Sequence, residues 1–160
     1  MEISGWDLAA MFAKAVTYAA ALGASGLIFF LAYCNTLLRD RQRATLRRLV
    51  GLLIGAAAMA SILRILLLAG SMGGDLASMF SGHFAAMLIS AGEGRATGLR
   101  LGGLTLALCA MSANPRLRGP GIAGAIIAAT SFAWVGHIHG LAPNTAPTLL
   151  LCLHLLCAAF

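Results

Sequence analysis

Of the chain's 160 residues, 60% are hydrophobic and only 10% are charged, with a mean hydropathy of +0.90. Soluble domains carry about 25% charge, so this composition excludes a soluble globular protein and predicts an all-α integral membrane bundle of four to five transmembrane helices with one amphipathic helix at the outer face. The net charge of +6 does not point to nucleic acid, because the arginines concentrate between apolar stretches, where they report topology.

The first span is expected over about residues 8–38. No charge interrupts it from Ala15 to Leu38, a run longer than the roughly 20 residues that cross a hydrocarbon core. Glu2 and Asp7 stand where a signal peptide would carry basic residues, so the segment reads as a retained helix. Arg39, Arg41, Arg43, Arg47 and Arg48 follow, against Asp40 alone. The positive-inside rule puts this connection in the cytoplasm and the N-terminus outside. A second span over about 49–74 returns the chain to the outer face at Asp75. Residues 76–90 are too short and too polar to cross comfortably. Leu76, Met79, Phe80, His83 and Met87 share one helical face there, which predicts an amphipathic helix at the outer surface.

The third span, about 93–113, ends at Asn114-Pro115-Arg116-Leu117-Arg118, a second cytoplasmic turn. That agrees with the first basic connection only if 76–90 does not cross. A fourth span over about 119–141 and a fifth helix from 148 flank an outer turn holding Pro143 and Pro147. From 148 to Phe160 there is room for about 20 Å of helix, short of the roughly 30 Å core. The 148–160 span is therefore incomplete as written, and 1–160 reads as a single membrane domain that is truncated or one module of a longer protein. Glycines spaced by four, Gly51/Gly55, Gly98/Gly102 and Gly136/Gly140, predict close helix contacts.

Polar side chains held in lipid usually face the bundle interior and mark functional sites. Three of the 4 histidines, His137, His139 and His154, fall in the last hairpin. In an antiparallel pair, residues equally far from the turn meet, and His137 and His154 are equidistant from a turn centred between Pro143 and Pro147. Two imidazoles are thus expected at one depth, a ligand pair for copper, zinc or haem iron; hydrogen bonding to backbone across the hairpin is the alternative. His139 points about 200° away from His137 on a helix. It serves as an entry ligand, or has no role, unless unwinding near Gly140 and Pro143 brings both rings to one ion.

His83 has Met79 and Met87 one turn away on either side. Thioethers with imidazole suit Cu(I), although methionine is also a common filler of apolar faces. Cys34, Cys109, Cys152 and Cys157 read as small buried hydrophobes, with Cys157 a secondary ligand candidate one turn from His154. Arg64 lies mid-span, where a charge costs at least about 2.5 kcal/mol. It must snorkel, face a water-filled cavity, or meet an anionic group such as a haem propionate. Arg95 and Arg100 open the third span, near enough to the outer surface for snorkelling. With 5 acidic residues and no Ser/His/Asp arrangement, paired carboxylates or phosphate-cradling loop, no enzymatic activity is expected.

Three segments carry a resemblance. Gly94-Arg95-Ala96-Thr97-Gly98-Leu99-Arg100, Ser131-Phe132-Ala133-Trp134-Val135-Gly136-His137 and Leu153-His154-Leu155-Leu156-Cys157-Ala158-Ala159-Phe160 resemble, in order, motifs of the copper resistance protein D family of bacterial inner-membrane proteins. The likeness covers nearly all of this chain and about half of a family member. The resemblance implies copper handling at the inner membrane, with outer-side histidines as ligands and a periplasmic copper-carrier protein as donor. It also leaves open b-type haem, with two histidines as axial ligands and Arg64 or Arg100 neutralising propionates. A third reading is a non-metal assembly subunit. The expected partners are the lipid bilayer and, to supply missing helices, a second copy or another subunit.

Overall fold

The computed structural model describes residues 4–112, 114–134 and 145–160, apart from the side chains of 85, 145 and 146. Every regular element among them is helical. The first helix, α1 (Gly5–Tyr33), opens on a capping box: the Asp7 amide donates to Ser4 Oγ at 3.2 Å and the Ser4 amide to Asp7 Oδ2 at 3.2 Å. This pairing satisfies two of the amides a helix start leaves unbonded. Helix α2 (Asp40–Gly73) ends where Gly74 takes φ 78° and returns its amide to Gly70 O at 2.8 Å. That left-handed conformation is one glycine adopts without strain.

Helices α1 and α2 are long and apolar enough to cross a membrane. They form an antiparallel hairpin: Trp6 lies against Gly70, Gly23 against Leu53, and Ile28 with Val50 lines one cavity. At 1.5 Å per residue α2 is about 51 Å long. The excess over a roughly 30 Å core is accounted for at its start, since Arg41, Arg43, Arg47 and Arg48 lie in its first turns and not in a loop. The first connection is correspondingly short, and the first span ends at Tyr33, not 38.

A 3₁₀ turn (Ala77–Phe80) and α3 (Gly82–Ser90) follow. The expected single amphipathic helix over 76–90 is thus two pieces, broken where Ser81 turns extended at ψ 118°. Helix α4 (Gly92–Ala107) runs into a 3₁₀ turn (Leu108–Met111), and α5 (Arg118–Thr130) into another (Ser131–Trp134). Neither α4 nor α5 alone meets the length of a span, so two helices rather than four or five qualify among the described residues. The last helix is α6 (Thr145–Ala159).

Small residues set the packing of α4 on α5. A Cβ on Gly103 would lie 2.6 Å from the Ala128 amide nitrogen, and one on Gly124 or Gly121 would strike the backbone of Ala107 or Ala110. These backbones touch because nothing stands between them, the usual basis of helix association where lipid is as apolar as leucine. The four-spaced glycines do something else. Gly55, Gly98 and Gly102 face open space, Gly51 meets only the Met111 side chain, and Gly136 and Gly140 lie outside the described residues. The core joins Ala20, Ala21, Ala24 and Ile28 of α1 to Val50 and Ile54 of α2, Leu104 and Ala107 of α4, Ala125 and Ala128 of α5, and Leu155 of α6. One hydrogen bond crosses it, from Ser25 Oγ to Ala125 O at 3.0 Å.

Candidate functional site

Polar groups gather toward the end of the bundle where α4 begins. Arg64 of α2 forms an ion pair with Glu93 in the first turn of α4, and the two side chains are only 14% and 15% exposed. The carboxylate is doubly placed, since an acid in the first helical turn also meets the positive end of the helix dipole. Of the three options open to Arg64 in sequence, pairing is the one realised, with a partner that sequence reasoning did not name. Glu93 was the signal: it is the one acidic residue between Asp75 and the chain's end.

Arg100 is 2% exposed. It does not snorkel, because its face of α4 also carries Ala96, Gly103, Leu104 and Ala107, all turned into the bundle. Its Nε donates to Ser131 Oγ at 3.2 Å, and that hydroxyl donates in turn to Ala128 O at 2.7 Å. The guanidinium carbon stands 4.0 Å from the centroid of Phe132, whose ring lies 3.9 Å from that of Tyr18 on α1. A desolvated cation over an aromatic face gains about 2 kcal/mol, which offsets part of the cost of burial. Arg64 is paired with Glu93, whereas Arg100 has no carboxylate partner among the described residues. Tyr18, Ser131 and Phe132 were not singled out in sequence, although Tyr18 is the one polar-tipped aromatic deep in an otherwise apolar span. Arg95 is exposed, as snorkelling requires.

The histidines are placed differently from these buried groups. His83 is exposed on α3, 5.7 Å from the Phe84 ring centroid in an edge-on arrangement. Met87 lies one turn on in the same helix and is 46% exposed. Met79 belongs to the preceding 3₁₀ turn and packs over Gly70 beside Trp6. The stripe expected from Met79 through His83 to Met87 is therefore interrupted at Ser81, because the helical register does not carry across the break.

His154 is exposed on α6, on the side away from Leu151, Leu155 and Ala159, which pack on the core. Its expected partner His137 lies outside the described residues, as does His139, and so does the hairpin contact between the two rings. The α6 helix packs on α5 and α1, while α3 packs on α2 and α4, so His83 and His154 stand on helices without an extensive interface. Among the described residues no three His, Cys, Asp or Glu side chains come together as a metal site. The four cysteines are free; three are half-buried and Cys157 is exposed. The carbonyl of Trp134 lies 3.9 Å from a Cβ position on Gly92. Trp134 thus lies beside the start of α4, at the residue before Glu93.

A helical membrane protein with two inward-turned arginines, one of them paired with a glutamate, is what this arrangement defines. A family model described as copper resistance protein D-like, N-terminal domain, matches residues 5–140, and the chain belongs to that family. No curated protein and no solved structure matches the chain.

Proposed function

We propose that this domain accepts copper at the outer face of the bacterial inner membrane and passes it on, acting as a carrier and not as an enzyme. Membership of a copper resistance family over residues 5–140 is the observation that carries the reading. His137 and His154 are the principal ligands in this proposal, with His83 and Met87, helped by Met79, as a capture site and His139 as an entry ligand. Exposure of His83, on the short helix after the outer turn, favours exchange with a donor such as a periplasmic copper-carrier protein, since a closed ligand cage would release the ion slowly. Four crossings are consistent with the lengths: α4 and α5 with their 3₁₀ extensions reach about 32 and 28 Å, close to a core of roughly 30 Å. With both basic segments inside, the N-terminus is periplasmic.

The test is copper titration of purified, metal-free protein. His137→Ala and His154→Ala are expected each to abolish stoichiometric binding, and His83→Ala to slow loading. Unchanged affinity in both of the first two variants removes the proposal.

One observation favours a second reading. Arg100 is buried with no carboxylate partner among the described residues, which suits an anionic group such as a haem propionate. His83 and His154 stand on helices that do not pack extensively, so axial ligation would fall to His137 or His139 with His154. Bound b-type haem would supply one-electron redox chemistry, and Arg100 would fix its propionate. A Soret band in protein from haem-replete cells that is weakened in Arg100→Gln supports this reading; a colourless wild-type preparation rejects it.

A further inference from the structure

At the opposite, arginine-rich end of the bundle, Asn35, Arg47 and Arg118 line a cavity of about 30 Å³ floored by Ile28, Val50 and Met111. Its two guanidiniums come from the early turns of α2 and the first turn of α5. Arg47 is half-buried, and neither arginine makes a hydrogen bond or ion pair among the described residues. Asp40, the one acid at this end, is taken by Arg43 at 3.8 Å. Arg43 is further held by Leu38 O, which accepts from its Nε at 3.2 Å and its Nη2 at 3.0 Å. Arg47 and the exposed Arg118 thus line one small space with no acidic partner, two guanidiniums free to make charge-assisted hydrogen bonds to an anion.

The cavity adjoins a larger one. Ala32 and Ile122 line both, and beyond them Phe29, Tyr33, Ile126, Leu156 and Phe160 wall an apolar groove of about 490 Å³ between α1, α5 and α6. Ile126, Leu156 and Phe29 each lie deeper in the bundle than the arginines, so the groove runs from the charged notch toward the membrane interior. At its mouth Tyr33 and Phe160 meet edge to face, their centroids 6.0 Å apart, where aromatic side chains prefer the headgroup level. A cationic notch opening into an apolar channel has the polarity of a phospholipid, with two positive charges to meet one anionic headgroup.

We propose that Asn35, Arg47 and Arg118 bind the phosphate of an anionic phospholipid from the leaflet at this end, with an acyl chain lying in the groove of Phe29, Ile126 and Leu156. The site is independent of copper or haem at the other end. The test is native mass spectrometry of the delipidated full chain, titrated with phosphatidylglycerol or phosphatidylcholine. Phosphatidylglycerol is expected to bind at least roughly tenfold tighter, given the contribution of each basic residue near anionic headgroups. Arg47→Gln/Arg118→Gln should remove that preference. Ile126→Trp, which keeps both arginines and fills the groove, should weaken both lipids, and Arg116→Gln, outside the cavity, should change neither. Equal affinity of wild-type protein for the two lipids overturns the proposal. So does displacement of phosphatidylglycerol by millimolar inorganic phosphate, which would mark a simple anion site without a chain subsite.

Discussion

Removing the carboxylate of Glu93 strands Arg64. At an effective dielectric near 20, two contacting unit charges attract by about 4 kcal/mol, and truncating one partner of a buried pair costs about 3–5 kcal/mol because the other charge stays behind. Both side chains keep some solvent contact, 14% and 15%, which places Glu93→Gln near the lower end, about 3 kcal/mol, or roughly two orders of magnitude in the folded-to-unfolded ratio. The charge itself is dispensable in this argument. Arg64→Met/Glu93→Leu, which removes both ions, should lie within about 1 kcal/mol of the wild type, since replacing a buried pair by apolar residues is often neutral. Unfolding of the wild type, Glu93→Leu, Arg64→Met and the double variant in mixed micelles of mild detergent and dodecyl sulfate gives the four corners of a double-mutant cycle. A coupling energy below about 0.5 kcal/mol would show that the pair is a solvated contact and refute the reasoning.

The remaining predictions concern packing, the outer turn and the buried arginine. Gly124→Ala should destabilise by about 1–3 kcal/mol in the same micelle assay, because its Cβ meets the Ala107 backbone and overpacking of that size is not relieved by rotamer changes; Gly98→Ala, facing open space, should be neutral or stabilising by up to about 1 kcal/mol, and the reverse order would contradict the helix pairing. Asp75 accepts from the Ser78 amide at 2.7 Å, and hydrogen bonding by the side chain and then the backbone of Ser78 holds its carboxyl below its ordinary value of 3.8. The contribution of that bond to the turn is therefore present above pH 3.8 and lost as pH falls through the lower folded value. A Ser78 amide shift titrating with its midpoint at or above 3.8 would contradict it. Arg100→Lys should lose the stacking on Phe132, because a compact ammonium cannot lie flat on a ring, and is expected to lower the unfolding midpoint; a variant as stable as the wild type would mean that the ring contact contributes nothing.

Helix type, the two long apolar helices and the need of Arg64 for a partner were legible in the sequence, because each follows from composition or from the cost of a charge in lipid. The helical state of the first arginine run was not legible: the Arg39 amide donates to Gln42 Oε1 at 2.9 Å, three residues ahead, but arginine cannot accept in return, so the usual capping pattern is missing. Which side of each helix faces a neighbour was not legible. In water a helix separates an apolar side from a polar one, but in lipid both sides are apolar and hydropathy cannot tell them apart. The helix α4 offers Gly98, Gly102 and Gly103, and spacing by four selects the first two, whereas α5 packs on the third.

The same choice of face settled Arg100. It lies three residues before Gly103, on the same side of α4, so once α5 closes on Gly103 through Gly124 and Ala128 the guanidinium is carried inside. From there a side chain has no path to the headgroups, and it must find Ser131, Phe132 and Tyr18 within the bundle. Had Gly98 and Gly102 formed the interface, Arg100 would have lain at its margin with a route to the surface. A buried charge that invites an anionic ligand is thus a consequence of where two backbones were small enough to touch.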